Sequence, residues 1–198
     1  MGPSRFYAAL AALLFTAACA WSGAAVFRCL DAPDEPADEL VQAAGPCRFR
    51  GLVLRRERTL DAPPDAESGQ RLSAAETGTE SGLYFPEADS LSALAPEDAA
   101  ALSAAELDRL LAAPPETLSV PGRLVCGEAL VIAAFARGDL PGAPGSCRVT
   151  LASGETLSAS LLEARPCEDG RSLVLLRLPL GHNRLLTERF VSGEILLE

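Results

Sequence analysis

The sequence predicts a mainly β protein with an N-terminal transmembrane helix and a C-terminal small β-barrel, and three observations lead to that prediction. An uncharged apolar run extends from Phe6 to Phe27. From Val120 onward, short β-type runs alternate with turn residues, which is typical of small barrels. With 48% hydrophobic and 22% charged residues, the 198-residue chain has the balance of a globular protein of about one domain.

The N-terminal apolar run has the length of a membrane span. It lies between Arg5 and Arg28, and about 20 helical residues suffice to cross the hydrocarbon core of a bilayer. A cleaved signal peptide is the alternative, because Ala18-Cys19-Ala20 offers a cleavage site. The anchor is favoured because the apolar run continues beyond that site. We therefore predict a cytoplasmic tail at 1–5, an anchor at 6–27 and an acidic, proline-containing linker at 28–46.

The stretch from Cys47 to Leu60 is predicted to be a strand interrupted at Gly51, because apolar and charged residues alternate along it. Arginines are concentrated in this stretch, and they are the candidate partner contacts of the sequence: Arg48, Arg50, Arg55, Arg56 and Arg58. They form either a surface for an anionic ligand or the solvated face of a strand.

The middle of the chain is predicted to be loop and short helices. Residues 61–82 are rich in Pro, Gly, Ser and Thr, which predicts a loop with at most one short strand, and Leu83–Phe85 form a short strand. Two short helices are predicted between Leu94 and Leu111. Pro96 suits a first helical turn, and Ser103-Ala-Ala-Glu106 matches a capping box.

The C-terminal region contains six β-type runs. Turns are predicted at Ser153-Gly154 and Glu168-Asp169-Gly170, and His182 to Phe190 is either a short helix or a loop. The predicted strands cover Arg123 to Cys126, Ala129 to Phe135, Cys147 to Ala152, Thr156 to Ala164, Ser172 to Leu178 and Glu194 to Leu197.

Composition argues against several classes of function. All 17 basic residues are arginines, and with 27 acidic residues they leave a net charge of −10, which argues against nucleic acid as a partner. His182 is the only histidine, and no nucleophile elbow, Walker motif or G-x-G-x-x-G occurs. The sequence therefore predicts no enzyme, no cofactor and no catalytic, cofactor-binding or metal-ligating residues.

The six cysteines do not form a C-x-x-C pair, so they do not suggest a metal site. Cys19 falls in the apolar run and leaves an odd number of cysteines in the remainder of the chain. Small buried apolar side chains are therefore favoured over a disulfide framework.

Several local motifs follow the apolar span in a characteristic order. The first are Phe49-Arg-Gly-Leu-Val-Leu-Arg-Arg-Glu57 and Gly69-Gln-Arg-Leu-Ser73. Next come Ser81 to Phe85 with Asp89, the doubled segment from Leu94 to Leu111, and then Val120 to Gly127, Ala129 to Phe135 and Leu185 to Leu197. In this order they resemble the opening, the return strand and helical insert, and the barrel of the HlyD-type membrane-fusion, or periplasmic adaptor, family of the Gram-positive, clostridial kind.

The resemblance implies a partial barrel-sandwich (lipoyl-like) region at 47–93, a helical insert at 94–112 and a β-barrel domain at 120–198. It also implies a single-pass protein of the cytoplasmic membrane with an extracytoplasmic C-terminal domain. Its implied partners are the membrane, an ABC-type or other export permease, and other copies of the chain in a homo-oligomer. The expected function is that of a non-enzymatic adaptor in efflux or secretion.

One departure from the family pattern keeps a second function open. Transporter-linked members carry a long coiled-coil hairpin, and residues 59–82 leave no room for one. A structural protein of the cell envelope, acting in division or sporulation without a transporter, is therefore the alternative. An enzymatic or solute-binding lipoprotein would require a processed Cys19, and Thr16 stands where such a site needs an aliphatic residue.

Overall fold

The computed structural model describes residues 45–62, 64–138, 140, 143–181 and 183–198, which form one compact unit. The predicted tail and anchor, nearly all of the linker, and His182 lie outside the described residues. No helix in the described part of the chain is long and apolar enough to cross a membrane.

The described fold is mainly antiparallel β-sheet with a few short helices. A short 3₁₀ helix covers Pro96–Ala101. The α-helices are α1 (Ala74–Thr77), α2 (Ala104–Ala112) and α3 (Asn183–Thr187). The strands are β1 (Cys47–Thr59), β2 (Arg71–Leu72), β3 (Gly82–Phe85), β4 (Ala88–Asp89), β5 (Thr117–Leu118), β6 (Arg123–Arg137), β7 (Gly145–Leu151), β8 (Thr156–Pro166), β9 (Ser172–Pro179) and β10 (Phe190–Leu197).

Six of these strands close into a ring. The sheet runs in the order β1-β10-β7-β8-β9-β6, and an additional pairing between β1 and β6 joins its two ends. β3 and β2 continue the sheet beyond the first half of β6. The ring includes β1, whereas the sequence predicts a barrel from residues 120–198 alone. Strands from both predicted β regions therefore belong to one sheet.

Successive side chains of the ring strands point to opposite faces of the sheet, and apolar residues occupy both faces. The strands therefore carry two apolar layers, one inside the ring and one outside it. The inner layer fills the ring with side chains from all six strands, among them Phe49, Ile132 and Leu176. The outer layer lies on β1, β6 and β9, where the 3₁₀ helix and α2 cover it with residues such as Leu107 and Leu111. The helical segment is therefore fixed against the outer wall of the ring.

The two short helices and their capping box are confirmed. The backbone N–H of Ser103 donates to Glu106 Oε2 at 2.9 Å, and the backbone N–H of Glu106 donates to Ser103 Oγ at 3.3 Å. The predicted turns at 153–154 and 168–170 connect β7 to β8 and β8 to β9. Between 183 and 187 the helical alternative is correct, since α3 forms there.

Three local predictions were wrong. The strands predicted separately at Arg123 to Cys126 and Ala129 to Phe135 form one strand, β6. β1 is not interrupted at Gly51, which pairs in register with Val191 and Ala134. A Cβ at this position would lie 2.6 Å from Ala134 Cβ, so glycine permits close strand packing here and does not end the strand. Residues 61–82, predicted to be a loop with at most one short strand, contain β2 as that strand, but they also contain the unpredicted helix α1, whose capping box joins Ser73 and Glu76.

The described cysteines include buried thiols, as the sequence predicts. Cys126 and Cys147 are 1% exposed and form no disulfide, and Cys167 is a half-buried free thiol. Burial is the main reason that the pKa of Cys126 rises to about 11, and it also raises the pKa of Cys147. Both thiols therefore pack as small apolar groups.

Candidate functional site

The five candidate arginines of β1 fall into three environments. Arg48 and Arg50 are exposed at the start of the strand, and Arg56 and Arg58 are exposed near its end. Arg55 is fully buried, with 0% exposure. Its side chain therefore does not belong to the predicted contact surface. The cause is the alternation of side chains along a strand. Arg55 lies on the same face as Phe49 and Val53, which point into the ring, whereas Leu54 and Arg56 point outward.

Arg48 belongs to a row of arginines across three neighbouring strands, which we call the arginine row: Arg48, Arg137 and Arg171. Arg48 on β1 is the direct cross-strand partner of Arg137 on β6. Arg171 directly precedes Ser172, the partner of Ala136. Like charges opposite one another destabilise a sheet. The arginine row therefore places positive charges close together. This contrasts with residues 45–198 as a whole, which contain 15 arginines and 22 acidic residues.

The arginine row borders a concave site between the ring and the end of α2. The site, which we call the arginine groove, has a cavity volume of about 410 Å³. Its lining comprises Arg48, Phe49, Arg50, Asp108, Leu111, Ala112, Phe135, Arg137 and Arg171. Four arginines and one carboxylate line the groove, and two further carboxylates pair with these arginines: Glu194 with Arg48 and Asp169 with Arg171. The groove therefore combines positive charge with apolar contact area.

Two of the four arginines also hold α2 in place. The Arg171 guanidinium lies 3.8 Å from the centre of the Phe135 ring and donates two hydrogen bonds to Asp108, of 2.9 and 2.7 Å. Arg50 Nη2 donates to the carbonyl oxygen of Leu111 at 3.0 Å, near the C-terminal end of α2. Stacking and bidentate pairing are the two interactions for which arginine is best suited.

The other two arginines of the groove have weak partners or none among the described residues. Arg48 Nε lies 3.4 Å from Glu194 Oε1, and this pair is largely exposed, with 85% of the Arg48 side chain accessible. Exposed ion pairs of this kind contribute little to stability. Arg137 is exposed and forms no ion pair with another described residue. Arg48 and Arg137 are therefore available to an external anion.

We expect the Arg171→Gln variant to be less stable than the wild type at neutral pH, and we expect this difference in stability to become smaller at acidic pH. Hydrogen bonds from the Arg171 side chain lower the pKa of Asp108. The pKa of Asp169 is lowered mainly by the backbone N–H of Arg171, which the variant keeps, and in addition by the Arg171 side chain. A carboxyl whose pKa is lower in the folded state than in the unfolded state stabilises the fold at pH values above its unfolded pKa, which is about 3.9 for Asp. This stabilisation is lost as the pH falls through the pKa of the folded state. The melting temperature of the variant should therefore lie below that of the wild type at pH 7, and the difference should shrink below about pH 4.

The matched control for this prediction is Arg109→Gln, which removes one exposed arginine from α2 itself. Thermal unfolding of the full chain, followed by circular dichroism between pH 2 and 8, measures both variants. A difference between Arg171→Gln and wild type that stays constant across this range would show that the two carboxyls are not linked to Arg171.

A second charged cluster, which we call the buried network, lies in the interior. Glu57, whose side chain is 0% exposed, accepts from Arg123 Nη1 at 3.0 Å and from Arg189 Nη2 at 2.6 Å, and it lies 2.8 Å from Arg55 Nε. Arg189 Nε also donates to Asp89 Oδ2 at 2.7 Å. One carboxylate thus binds three arginines that come from β1, β6 and the segment before β10.

The buried network also binds α3. Arg55 Nη1 donates to the carbonyl oxygen of Leu185 at 2.9 Å, and Arg123 Nη2 donates to that of Leu186 at 3.2 Å. Burial, followed by repulsion from Arg189, lowers the pKa of Arg55 to about 9, so Arg55 is still charged at pH 7. A charge buried this deeply requires a charged partner, which makes Glu57 the central group of the network. Its inaccessibility indicates a structural role.

The arginine groove is therefore the candidate functional site, and the sequence located half of its arginines. Arg137 and Arg171 were missed because their closeness to Arg48 depends on the strand pairing, which no local motif encodes. In the buried network, Asp89 was noted only as part of a family resemblance, without a role. In comparisons with protein-family models, curated proteins and solved structures, nothing matched this chain.

Proposed function

We propose that this chain is a non-enzymatic adaptor, anchored in the cytoplasmic membrane by residues 6–27, whose β domain faces the extracytoplasmic side and binds an export permease. The observation that carries the proposal is the arginine groove, an exposed and concave charged surface on an otherwise acidic domain. The order of segments adds support, because it resembles that of HlyD-type membrane-fusion proteins.

The groove suits a protein partner because it combines apolar and charged contacts. Protein interfaces are enriched in arginine, which the groove presents in the exposed Arg48 and Arg137, and the exposed Ala112 adds an apolar contact. Its walls are fixed, because Arg50 and Arg171 hold α2 on the ring. A rigid surface loses little conformational entropy on binding, which favours affinity.

Site-specific photocrosslinking in the native host tests this function. A photoreactive residue replaces Ala112, which is exposed in the groove, or Ser158, which is exposed on β8 on the opposite side of the ring. We expect an adduct with an export permease from position 112 and none from position 158. The adduct should disappear when Arg48 and Arg137 are both replaced by glutamate. An adduct with division or sporulation proteins, without a permease, would favour the structural envelope function.

A further inference from the structure

We infer that the arginine groove binds a linear acidic segment of its partner, with at least two carboxylates beside an apolar residue. This inference rests on the proposed function, since it names the chemistry of the partner at the same site. It follows from the placement of Arg48 and Arg137, the contents of the groove and the charge of the surrounding surface.

The spacing of the two available arginines suits carboxylates along one strand of polypeptide. Arg48 and Arg137 are directly opposite in antiparallel strands, where paired Cα atoms lie about 4.5 to 5.5 Å apart. Alternate side chains of an extended peptide repeat at about 6.8 Å, within reach of two long and flexible arginine side chains. A pair of carboxylates would also relieve the repulsion between the two guanidinium groups.

The apolar part of the groove adds a second requirement. Ala112 is exposed at the end of α2, whereas Leu111 and Phe135 behind it are 7% and 6% exposed, and Phe135 is stacked beneath Arg171. An apolar side chain two residues beyond the pair of carboxylates lies on the same face of an extended peptide, so it would contact this part of the groove and leave the charged groups at the rim. Purely ionic ligands would not use this surface.

The surrounding charge disfavours a broad anionic surface such as a membrane of acidic lipids. Residues 45–198 contain 22 acidic residues and 15 arginines, so a flat negative surface would meet repulsion around the groove. A single extended segment avoids that repulsion, because it contacts only the groove. The observations therefore favour a peptide over lipid head groups.

Fluorescence anisotropy with the full chain in a mild detergent tests this inference. The probe is a fluorescein-labelled Glu-Glu-Leu-Glu-Glu-Leu peptide, and Gln-Gln-Leu-Gln-Gln-Leu is the uncharged comparison. The Arg48→Gln/Arg137→Gln variant keeps Arg50 and Arg171, which hold α2. We expect the variant to bind the acidic peptide about tenfold more weakly than wild type, since two exposed charge contacts together contribute about 1.4 kcal/mol.

A matched control is available outside the groove, with one arginine on β7 and one on β9. Arg148 forms an exposed ion pair with Glu198, as Arg48 does with Glu194, and Arg177 is exposed without an ion pair to another described residue, as is Arg137. The Arg148→Gln/Arg177→Gln variant therefore removes the same charge. It should bind the acidic peptide as wild type does, and circular dichroism should show both variants folded.

Four outcomes would overturn the inference. Equal binding of the acidic and uncharged peptides would show that carboxylates are not recognised. Equal loss of binding in both double variants would show a general effect of charge. Displacement of the peptide by glycerol phosphate at lower concentration than by free acidic peptide would assign the groove to phosphate head groups. If the acidic peptide fails to bind but the permease adduct at position 112 still requires Arg48 and Arg137, the proposed function stands and only this inference fails.

Discussion

Replacing Glu57 by glutamine is expected to lower the melting temperature of the protein by about 10 °C, because removing one partner from a buried ion pair costs about 3 to 5 kcal/mol. The carboxylate of Glu57 contacts Arg55, Arg123 and Arg189, and its side chain is inaccessible to solvent. Glutamine has nearly the same shape but no charge, and its amide N–H₂ group cannot accept from arginine. Among the described residues, Asp89 would then be the remaining carboxylate of the network, and it pairs with Arg123 and Arg189 but not with Arg55.

Glu194→Gln is the matched control, because it removes the same kind of charge from an ion pair with arginine at the surface. The Arg48–Glu194 pair is 3.4 Å long and exposed on both sides, so its loss should cost less than about 1 kcal/mol. Thermal unfolding of the full chain by circular dichroism compares the two variants. Equal melting temperatures for both would show that Glu57 does not hold the arginines together.

A double variant separates the loss of attraction from the burial of unpaired charge. Replacing Arg55 by methionine together with Glu57→Gln removes one of the three positive charges with the carboxylate. If the cost arises mainly from uncompensated buried charge, the double variant should be more stable than Glu57→Gln alone. Lower stability of the double variant would show that packing and the bond from Arg55 to Leu185 matter more.

Local sequence signals were sufficient for the elements that depend on near neighbours. The capping box Ser103-Ala-Ala-Glu106 correctly marked the start of α2, because both of its bonds lie within one turn. The same four residue types at 73–76 mark the start of α1, which was missed because the surrounding Pro, Gly and Ser outweighed the motif. That motif was the signal that could have found α1.

The site depended on distant pairings, and for that reason the sequence showed only part of it. Strict alternation from Phe49 to Arg55 could have placed Arg55 inside the ring, had the strand been continued through Gly51. No pattern near Arg137 or Arg171 could reveal that both lie beside Arg48, since each is separated from it by a long stretch of chain. The register of β1 against β6 and of β6 against β9 creates the arginine row.

Replacing Gly193 by alanine is expected to destabilise the ring by about 3 kcal/mol and to lower the melting temperature by about 10 °C. Gly193 pairs with Phe49 of β1 on one side and with Leu151 of β7 on the other. A Cβ at this position would overlap the carbonyl oxygen of Thr150 and lie 2.9 Å from Leu151 Cα. These are backbone atoms, so no side-chain rotation can relieve the contact.

Gly145→Ala provides the control for this prediction, because Gly145 begins β7 in the same sheet and an added Cβ there would meet no heavy atom within 4 Å. Its melting temperature should match that of the wild type or rise slightly. A wild-type melting temperature for Gly193→Ala would mean that β10 and β7 are not packed this closely.

Because β10 is the link between β1 and β7, and Glu194 follows Gly193 opposite Arg48, separation of these strands would also displace the arginine row. Closure of the ring and the geometry of the arginine groove therefore depend on the same glycine.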